Sequence, residues 1–179
     1  ISLIIMTFRF KTKKINTIKN AFVVENSKYH DLRGRISTIF DKFIQSKIIR
    51  KNFSNYSDKL MIRKKNTLTG IHGDNKTWKV LKCLKGKILV VIVNCKKSQK
   101  NFGKHYKIIL AENDNKSLII PPFTGNSYLC LHKENIIFYK NLFNGEYNDF
   151  DKQFSYKWND KKFKISWPIG KPILSKRDR

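Results

Sequence analysis

The sequence predicts an all-β fold, a sandwich or barrel of short strands, and three observations support this prediction. Short apolar segments rich in Ile and Val follow one another from residue 79 onward and are separated by tight turns. Helical periodicity is weak throughout the chain. The length of 179 residues, 40% of them hydrophobic, suits one domain with a packed core. We therefore expect a single domain over residues 1–179.

The elements can be predicted in order along the chain. One or two short helices are expected, and the fair candidate is ISTIFDKFIQSKI, residues 36–48, where apolar residues recur at helical spacing. Strands are predicted in KVLKCL, ILVVIVNC, HYKIILA, SLIIP, NSYLCL, IIFYK and QFSYKW. The run ILVVIVN is apolar at successive positions, which predicts a central strand covered on both faces. Pro121 and Pro122 are expected to end the strand before them.

The formal charge of +25 comes from 38 Lys and Arg against 13 Asp and Glu. Such a charge first suggests nucleic acid, an anionic membrane or a phosphate-bearing substrate as partner. However, 31 of the basic residues are Lys, which spread over the whole chain, and only 7 are Arg, the type that base and phosphate recognition favours. Because Asn (17) and Ile (23) are also abundant, we attribute much of the charge to A/T-rich codons. We expect no nucleic-acid partner and no membrane contact.

The cysteines and the first residues bear on the compartment. Cys83, Cys95 and Cys130 are an odd number without a C-x-x-C pair, which disfavours a disulfide framework and fits a reducing cytoplasm. The opening ISLIIM is shorter than a signal-peptide core or a membrane span. We predict that Met6 is the initiator. In the stretch 1–6, the residues before Met6 are then upstream sequence that is not part of the protein. We expect a cytoplasmic protein.

One histidine stands out by its neighbours: TGIHGD, residues 69–74, places His72 between two glycines. None of the four histidines, His30, His72, His105 and His132, forms an H-x-H or H-x-x-x-H pair, so no metal site is predicted. A lone histidine at the start of a hairpin is more often structural than catalytic. Its position alone leaves both interpretations open.

Six blocks of sequence, in matching order and spacing, resemble the dTDP-4-dehydrorhamnose 3,5-epimerase family of nucleotide-sugar epimerases. They include DLRGRISTIF, GIHGDNKTWKVLKCLKGKILVVIVNC, SLIIPPFTGNSYLCL and ISWPIGKPILSKRD, and the resemblance spans residues 29–178. It implies a cupin jelly-roll fold and a homodimer without cofactor or metal that acts on a nucleotide-diphosphate sugar. The variants GIHGD-x-KT, PP-x-x-GNS and GEY-x-D resemble most the branch that acts on GDP-linked 4-keto-6-deoxy-heptoses in capsule synthesis.

The resemblance implies epimerisation at C3, C5 or both beside a 4-keto group, in deoxysugar synthesis for surface polysaccharide. Since the ketone acidifies the neighbouring C–H bonds, inversion needs a base on one face of the ring, an acid on the other and a donor for the enolate oxygen. His72 matches the family's base and Asp178 the carboxylate that orients it. Tyr139 matches the acid, and Lys79 the lysine beside the keto oxygen. Taken singly, Asp178 could be a frayed terminal charge, Lys79 a surface lysine and Tyr139 an inward strand aromatic.

Four further residues match positions that bind the sugar nucleotide. Arg33 in DLRG matches an arginine on the phosphates. Asn126 and Ser127 lie in GNS, where the rhamnose enzymes usually carry a histidine that faces the substrate. Thr69 stands where the family nearly always has an arginine that helps to hold the diphosphate.

The departure at Thr69 keeps alternatives open. It predicts weaker binding, compensation by Arg63, Lys64 or Lys65, or an altered activity. A catalytically degenerate sugar-binding cupin is therefore the alternative to an epimerase. A nucleic-acid-binding β-protein ranks behind both, because the strands lack the interleaved aromatic and basic residues of such modules. Asn94, in place of a common Asp at a strand end, is interpreted as structural.

Overall fold

The computed structural model of the protein describes residues 10–179, so the predicted initiator Met6 and the stretch 1–6 lie outside the described residues. The described strands are β1 (Lys11–Lys14), β2 (Phe22–Glu25), β3 (Lys28–Asp31), β4 (Gly34–Ser37), β5 (Asn55–Lys64), β6 (Ile71–Gly73), β7 (Trp78–Lys85), β8 (Lys87–Asn94), β9 (His105–Ala111), β10 (Lys116–Ile120), β11 (Thr124–Cys130), β12 (Glu134–Phe143) and β13 (Phe154–Tyr156). Three short helical segments accompany them: a π-type helix, Ile44–Ile49, and two 3-10 turns, Phe150–Lys152 and Lys176–Asp178.

The strands form two antiparallel sheets with a common core. The six-stranded sheet has the order β1, β2, β10, β7, β12, β5, and the five-stranded sheet has the order β13, β6, β11, β8, β9. The hairpin of β3 and β4 stands apart from both sheets. Neighbours in each sheet are often far apart in sequence, as in a jelly roll. The predicted all-β jelly roll is confirmed.

Strand β8 shows why the two sheets pack as they do. Val90 and Ile92 lie in the core between the sheets, whereas Val91 and Val93 pack on the outer side with Phe163. All four β8 side chains are fully buried. Burying such a side chain contributes roughly 1.5–3 kcal/mol relative to its exposed form. The prediction of a central strand covered on both faces is confirmed.

The predicted helix over residues 36–48 is only partly right. A helix exists, but it is short, Ile44–Ile49, and its buried side chains cover Trp78 and Val80 on the outer face of the six-stranded sheet. The first part of the predicted helix includes the end of strand β4, Gly34–Ser37, which pairs with β3. Apolar spacing alone did not reveal strand β4, because β3, the strand with which it pairs, lies upstream of the periodic segment.

The strands predicted from residue 79 onward are confirmed as β7 to β13, and β10 ends at Ile120, immediately before Pro121. Strands β1 to β6 were not predicted. The longest of them, β5 (Asn55–Lys64), is the last strand of its sheet and is exposed at eight of its ten positions. An edge strand of this kind carries little of the apolar alternation on which the prediction relies.

Within the described part of the chain, no helix is both long and apolar enough to cross a membrane. The three cysteines are free and buried. Burial raises the pKa of Cys83 to about 11 and the pKa of Cys95 and Cys130 to about 12. All three are therefore neutral thiols at physiological pH, and none has the thiolate character of a nucleophile.

Candidate active site

A cavity of about 400 Å³ opens between the two sheets. Strands β5, β7 and β12 of the six-stranded sheet contribute to its wall, as do β6 and β11 of the five-stranded sheet and the last helical turn. Six of the eight predicted site residues line it: Thr69, His72, Lys79, Asn126, Tyr139 and Asp178. Residues that are far apart in sequence thus converge on one space large enough for a sugar ring.

His72 lies in the middle of the three-residue strand β6, between Asn126 of β11 and Ser155 of β13. Its Nε2 atom is 2.7 Å from Oδ1 of Asp178. Because a carboxylate only accepts hydrogen bonds, Nε2 carries the hydrogen and Nδ1 holds the lone pair. The Ser155 hydroxyl lies 3.0 Å from Nδ1 and donates to it. This hydroxyl is exposed, so it can rotate toward solvent and free the lone pair.

Asp178 lies in the 3-10 turn Lys176–Asp178 and is 6% exposed. Its second oxygen accepts a hydrogen bond of 2.8 Å from the Ser175 hydroxyl. Burial acts to raise the pKa of Asp178, but the hydrogen bonds from His72 and Ser175 outweigh it, and the pKa is lowered. The carboxylate is therefore charged at neutral pH, where it orients the imidazole and stabilises its protonated form.

The two glycines of TGIHGD are explained by close contacts. A Cβ atom on Gly70 would lie 2.6 Å from Oδ1 of Asp178 and 3.0 Å from Cε1 of His72. A Cβ atom on Gly73 would lie 2.5 Å from the backbone oxygen of Thr124. Distances below 3.0 Å require a shift of one of the two groups. Gly70 therefore leaves room for the histidine–carboxylate pair, and Gly73 lets β6 lie close to Thr124 at the start of β11.

On the other side of the cavity, three side chains form a continuous hydrogen-bonded chain. Nζ of Lys79 donates to Oδ1 of Asn126 at 2.9 Å, and Nδ2 of Asn126 donates to the hydroxyl oxygen of Tyr139 at 2.8 Å. Lys79 and Tyr139 project from neighbouring strands β7 and β12, and Asn126 reaches them from the opposite sheet. Each of the three residues is at most 7% exposed.

Burial sets the protonation of this chain. It lowers the pKa of Lys79 to about 8, a shift that Asp74 opposes and that Lys59 and Arg177 reinforce. Burial also raises the pKa of Tyr139 well above its usual value. At neutral pH, Lys79 is therefore mainly an ammonium ion and Tyr139 is a protonated phenol.

Thr69 and Ser127 mainly connect segments of backbone. The Ser127 hydroxyl donates to the Thr69 carbonyl oxygen at 2.7 Å, and the Thr69 hydroxyl oxygen accepts from the Tyr128 amide at 3.2 Å. Ser127 is fully buried and does not line the cavity, whereas Thr69 does. Through these bonds, both residues hold the backbone just before β6 against strand β11.

Arg33 is not brought to the cavity within this chain. It lies on the β3–β4 hairpin, its side chain is 84% exposed, and its guanidinium pairs with Asp31 at 2.6 Å. The contact with substrate phosphates that the sequence predicted for Arg33 stays a prediction.

Sequence reasoning named Arg63 as a cation that could compensate for Thr69, but it missed Lys59 and Arg177. Lys59, Arg63 and Arg177 line the cavity, and among the described residues none of them has a carboxylate oxygen within 4.0 Å. Lys59 and Arg63 are four positions apart in β5, so they share a face of the strand. Lys64 and Lys65, considered beside Arg63, are not cavity residues. Once β5 is known to be a strand, the alternation of its side chains between two faces identifies Lys59 and Arg63 as residues of the same face.

Fold and cavity together define the class of the protein. It is a jelly roll of the cupin type whose interior holds acid–base side chains from both sheets. In residues 10–179, no three His, Cys, Asp or Glu side chains are grouped so that they could hold a metal ion.

Comparison with known proteins gives the family. The family model described as dTDP-4-dehydrorhamnose 3,5-epimerase matches residues 16–179. The dTDP-4-dehydrorhamnose 3,5-epimerase of Shigella flexneri is 25% identical over 164 residues, which cover 90% of this chain and 89% of that relative. This chain therefore belongs to the dTDP-4-dehydrorhamnose 3,5-epimerase family of isomerases, as predicted. Assignment to the GDP-heptose branch stays a prediction.

Solved structures confirm the fold. The dTDP-4-dehydrorhamnose 3,5-epimerase of Bacillus anthracis, with TDP and PPi bound, aligns with a TM-score of 0.85 at 26% identity and covers 96% of this chain and 97% of its own. The dTDP-6-deoxy-D-glucose-3,5-epimerase of Legionella pneumophila, in complex with dTDP-4-keto-L-rhamnose, aligns with a TM-score of 0.86 at 21% identity, covering 95% and 90%. The overall fold of this chain is thus the fold of these enzymes.

Proposed function

We propose that the protein inverts C3, C5 or both of a nucleotide-linked 4-keto-6-deoxy sugar by proton transfer through an enolate. One observation carries the proposal: His72 and Tyr139 project from opposite sheets into the same cavity. A sugar ring held between the sheets would present one face to each residue. Inversion of a carbon requires this arrangement, because the proton leaves from one face and returns on the other.

His72 is the proposed base. Its lone pair takes the proton from the carbon beside the ketone, and the imidazolium that results is stabilised by the Asp178 carboxylate 2.7 Å from Nε2. The electrons of the broken C–H bond move to the keto oxygen and form the enolate.

Lys79 and Tyr139 complete the proposed reaction. The ammonium group of Lys79 stabilises the negative charge on the enolate oxygen in a site from which water is largely excluded. Tyr139 then gives its proton to the carbon from the opposite face. A phenol is a far stronger acid than the carbon acid that forms, so the transfer is favourable although the pKa of Tyr139 is raised.

The charge of the cavity supports a diphosphate substrate. Lys59, Arg63 and Arg177 present three cations without carboxylate partners among the described residues. A nucleoside diphosphate supplies the missing negative charge. The related Bacillus anthracis enzyme was crystallised with TDP, a nucleoside diphosphate, and with PPi, an inorganic diphosphate. The family nearly always has an arginine at the position of Thr69. We propose that Arg63 supplies this guanidinium group instead.

A catalytically degenerate sugar-binding cupin is the alternative, and the observation in its favour is Thr69 in place of the family's arginine. The intact set of base, orienting carboxylate, acid and lysine supports the epimerase instead. A degenerate binder has no reason to retain four such groups in one cavity. The alternative therefore predicts ligand affinity without proton exchange.

We further propose that the protein is a cytoplasmic homodimer. Strand β5 is at the edge of its sheet and exposes Tyr56, Leu60 and Ile62 by 72%, 60% and 62%. An exposed apolar edge is a site for pairing with a second copy. Sedimentation equilibrium would show a dimer, and Leu60→Lys would shift it to monomer. A wild-type protein that sediments as a monomer contradicts this proposal.

The test of the activity is proton exchange in D₂O, followed by NMR. The protein is incubated separately with dTDP-linked and GDP-linked 4-keto-6-deoxy sugars. Deuterium at C3, at C5 or at both identifies the centres that are deprotonated, and the preferred nucleotide distinguishes the rhamnose from the heptose pathway. Absence of exchange with every substrate, together with measurable ligand binding, would favour the degenerate binder.

A further inference from the structure

The hydrogen-bonded chain of Lys79, Asn126 and Tyr139 has only one possible direction. An ammonium group has three donors and no acceptor, so the amide atom that faces Nζ of Lys79 must be the oxygen Oδ1. The other end of the amide, Nδ2, then faces the Tyr139 hydroxyl at 2.8 Å. Since Nδ2 only donates, the phenolic oxygen must accept.

The consequence concerns the hydrogen of Tyr139. Its oxygen accepts from Asn126, so its own O–H bond has to point elsewhere. In the described part of the chain, no group accepts a hydrogen bond from the Tyr139 hydroxyl, although the side chain is only 7% exposed and lines the cavity. A buried hydroxyl with an unused hydrogen is costly unless a ligand accepts it.

We propose that Asn126 is a positioning residue: its amide, held by Lys79, turns the Tyr139 hydroxyl hydrogen toward the substrate carbon. This inference rests on the proposed function, in which Tyr139 is the acid. Asn126 was predicted to contact the sugar, but the amide oxygen and one amide hydrogen are already bound within the protein. Its second amide hydrogen stays available for the predicted contact with the sugar, while the two bonds within the protein set the direction of proton transfer.

The step balances without any further reactant. The O–H bond of Tyr139 breaks as the C–H bond forms, the enolate electrons return to the carbon, and a phenolate remains. The same Asn126 N–H bond then donates to an anionic oxygen, which makes a stronger hydrogen bond. The Lys79 ammonium, one amide away, favours the same charge. The arrangement thus stabilises the product of proton transfer more than the starting phenol.

Asn126→Asp tests the proposal because it keeps the shape and reverses the hydrogen bond. A carboxylate would ion-pair with Lys79 and accept the Tyr139 hydrogen, which would then point away from the substrate. The readout is the ratio of deuterium exchange to completed inversion, measured in D₂O with a dTDP-4-keto-6-deoxy sugar. Since the acid step contributes roughly 10²- to 10⁴-fold, we expect the ratio to rise by about 10² or more. An unchanged ratio would overturn the proposal.

Two variants separate positioning from general damage. Asn141→Asp places a carboxylate on another asparagine of the same cavity, one that donates to Ser57 Oγ at 3.2 Å and has no bond to Tyr139. It is expected to slow exchange and inversion together and to leave their ratio unchanged. Asn126→His can accept from Lys79 through one ring nitrogen and donate to Tyr139 through the other. It should restore a low ratio; a high ratio in this variant contradicts the proposal.

A measurement on the protein without substrate makes the inference independent of the proposed function. Tyrosine labelled with carbon-13 at Cζ reports whether the phenol accepts or donates a hydrogen bond, and Tyr139→Phe assigns the Tyr139 resonance. We expect the resonance to shift in Asn126→Asp and to keep its position in Asn141→Asp. A resonance that is the same in wild type and Asn126→Asp would refute the proposed orientation even if the enzyme is active. If the resonance shifts and no substrate is turned over, the orientation holds and the proposed function fails.

Discussion

The two sheets build their sides of the cavity in different ways. The five-stranded sheet supplies His72, whose side chain is 16% exposed and whose partners come from the exposed Ser155 and from the last helical turn. The six-stranded sheet supplies Lys79 and Tyr139, each 7% exposed and each on a long interior strand. The side of the proposed base is thus assembled from short segments near solvent, and the side of the proposed acid from the middle of the sheet.

This difference shows which interactions hold each side chain in position. Strands β7 and β12 pair over seven positions, so Lys79 and Tyr139 are placed by the backbone register of the sheet. Strand β6 has three residues, so the geometry of His72 depends on side-chain contacts with Asp178 and Ser155. Substitutions on the base side should therefore change activity with little loss of stability, and the four predictions below test this contrast.

The largest effect is expected for His72→Asn, which removes the proposed base on the side of the short strand β6. Exchange and inversion should both fall by roughly 10²- to 10⁴-fold, since no other group is in place to take the proton. The melting temperature should change little. His132→Asn, on the exposed turn before β12, is the matched control and should keep full activity. A His72 variant with substantial deuterium exchange would contradict the assignment of the base.

Gly70→Ala should have the next largest effect, about 10²-fold on kcat, because its Cβ would press on Oδ1 of Asp178 at 2.6 Å. A displacement of about 1 Å at a reacting group can cost this much. Gly170→Ala is the matched control, since nothing lies within 4 Å of the added atom. Steady-state kinetics and thermal melts of both variants distinguish a local displacement from unfolding. Equal activity of the two variants would show that the pair tolerates the added methyl group.

Lys79 should give opposite pH trends in activity and in stability. Its pKa is lowered to about 8 by burial, so the ammonium form is lost above about pH 8 and kcat/KM should fall about tenfold per pH unit. Between about pH 8 and 10.5 the unfolded chain binds the additional proton, so the contribution of Lys79 to stability rises with pH. The check is the pH profile of kcat/KM, with the free energy of unfolding compared between wild type and Lys79→Met. A stability difference that falls over this interval would contradict the lowered pKa.

Ser155→Ala should have the smallest effect. Its hydroxyl occupies the lone pair of Nδ1 at 3.0 Å, and a net hydrogen bond of this kind is worth about 0.5–1.5 kcal/mol. Removing it should free the base and raise kcat by less than about tenfold, as measured in initial-rate assays near neutral pH. A large loss of activity would instead show that the Ser155 hydroxyl takes part in proton transfer.

The sequence predicted the later strands well, and with them the strand positions of Lys79 and Tyr139, for a physical reason. Runs such as ILVVIVN are buried on both faces, and interior strands of this kind can be recognised from their apolar composition alone. Lys79 and Tyr139 then follow from their positions in such strands and from the resemblance to a family. The sequence did not predict strands β1 to β6. Strands β1 and β5 are edge strands with mostly exposed residues, and β6 has only three residues.

The charge distribution of the cavity was beyond the sequence because it depends on which lysines and arginines share a space. With 31 lysines in the chain, nothing in the order of residues distinguishes Lys59 from its neighbours. Only the pairing of β5 with β12 places Lys59 and Arg63 on the cavity wall beside Arg177. Similarly, the bond between Asn126 and Tyr139 joins two sheets and is not encoded in either strand alone.

His72 and Asp178, which are in hydrogen-bond contact, are 106 residues apart along the chain, and this separation has a consequence for folding. Closing so long a loop is entropically costly, and the terminal turn can dock only after β6 has paired with its neighbours. During refolding from denaturant, recovery of turnover should therefore lag behind the burial of the strands. If the proposed epimerisation is observed, the rate at which it returns would measure when the contact between His72 and Asp178 forms.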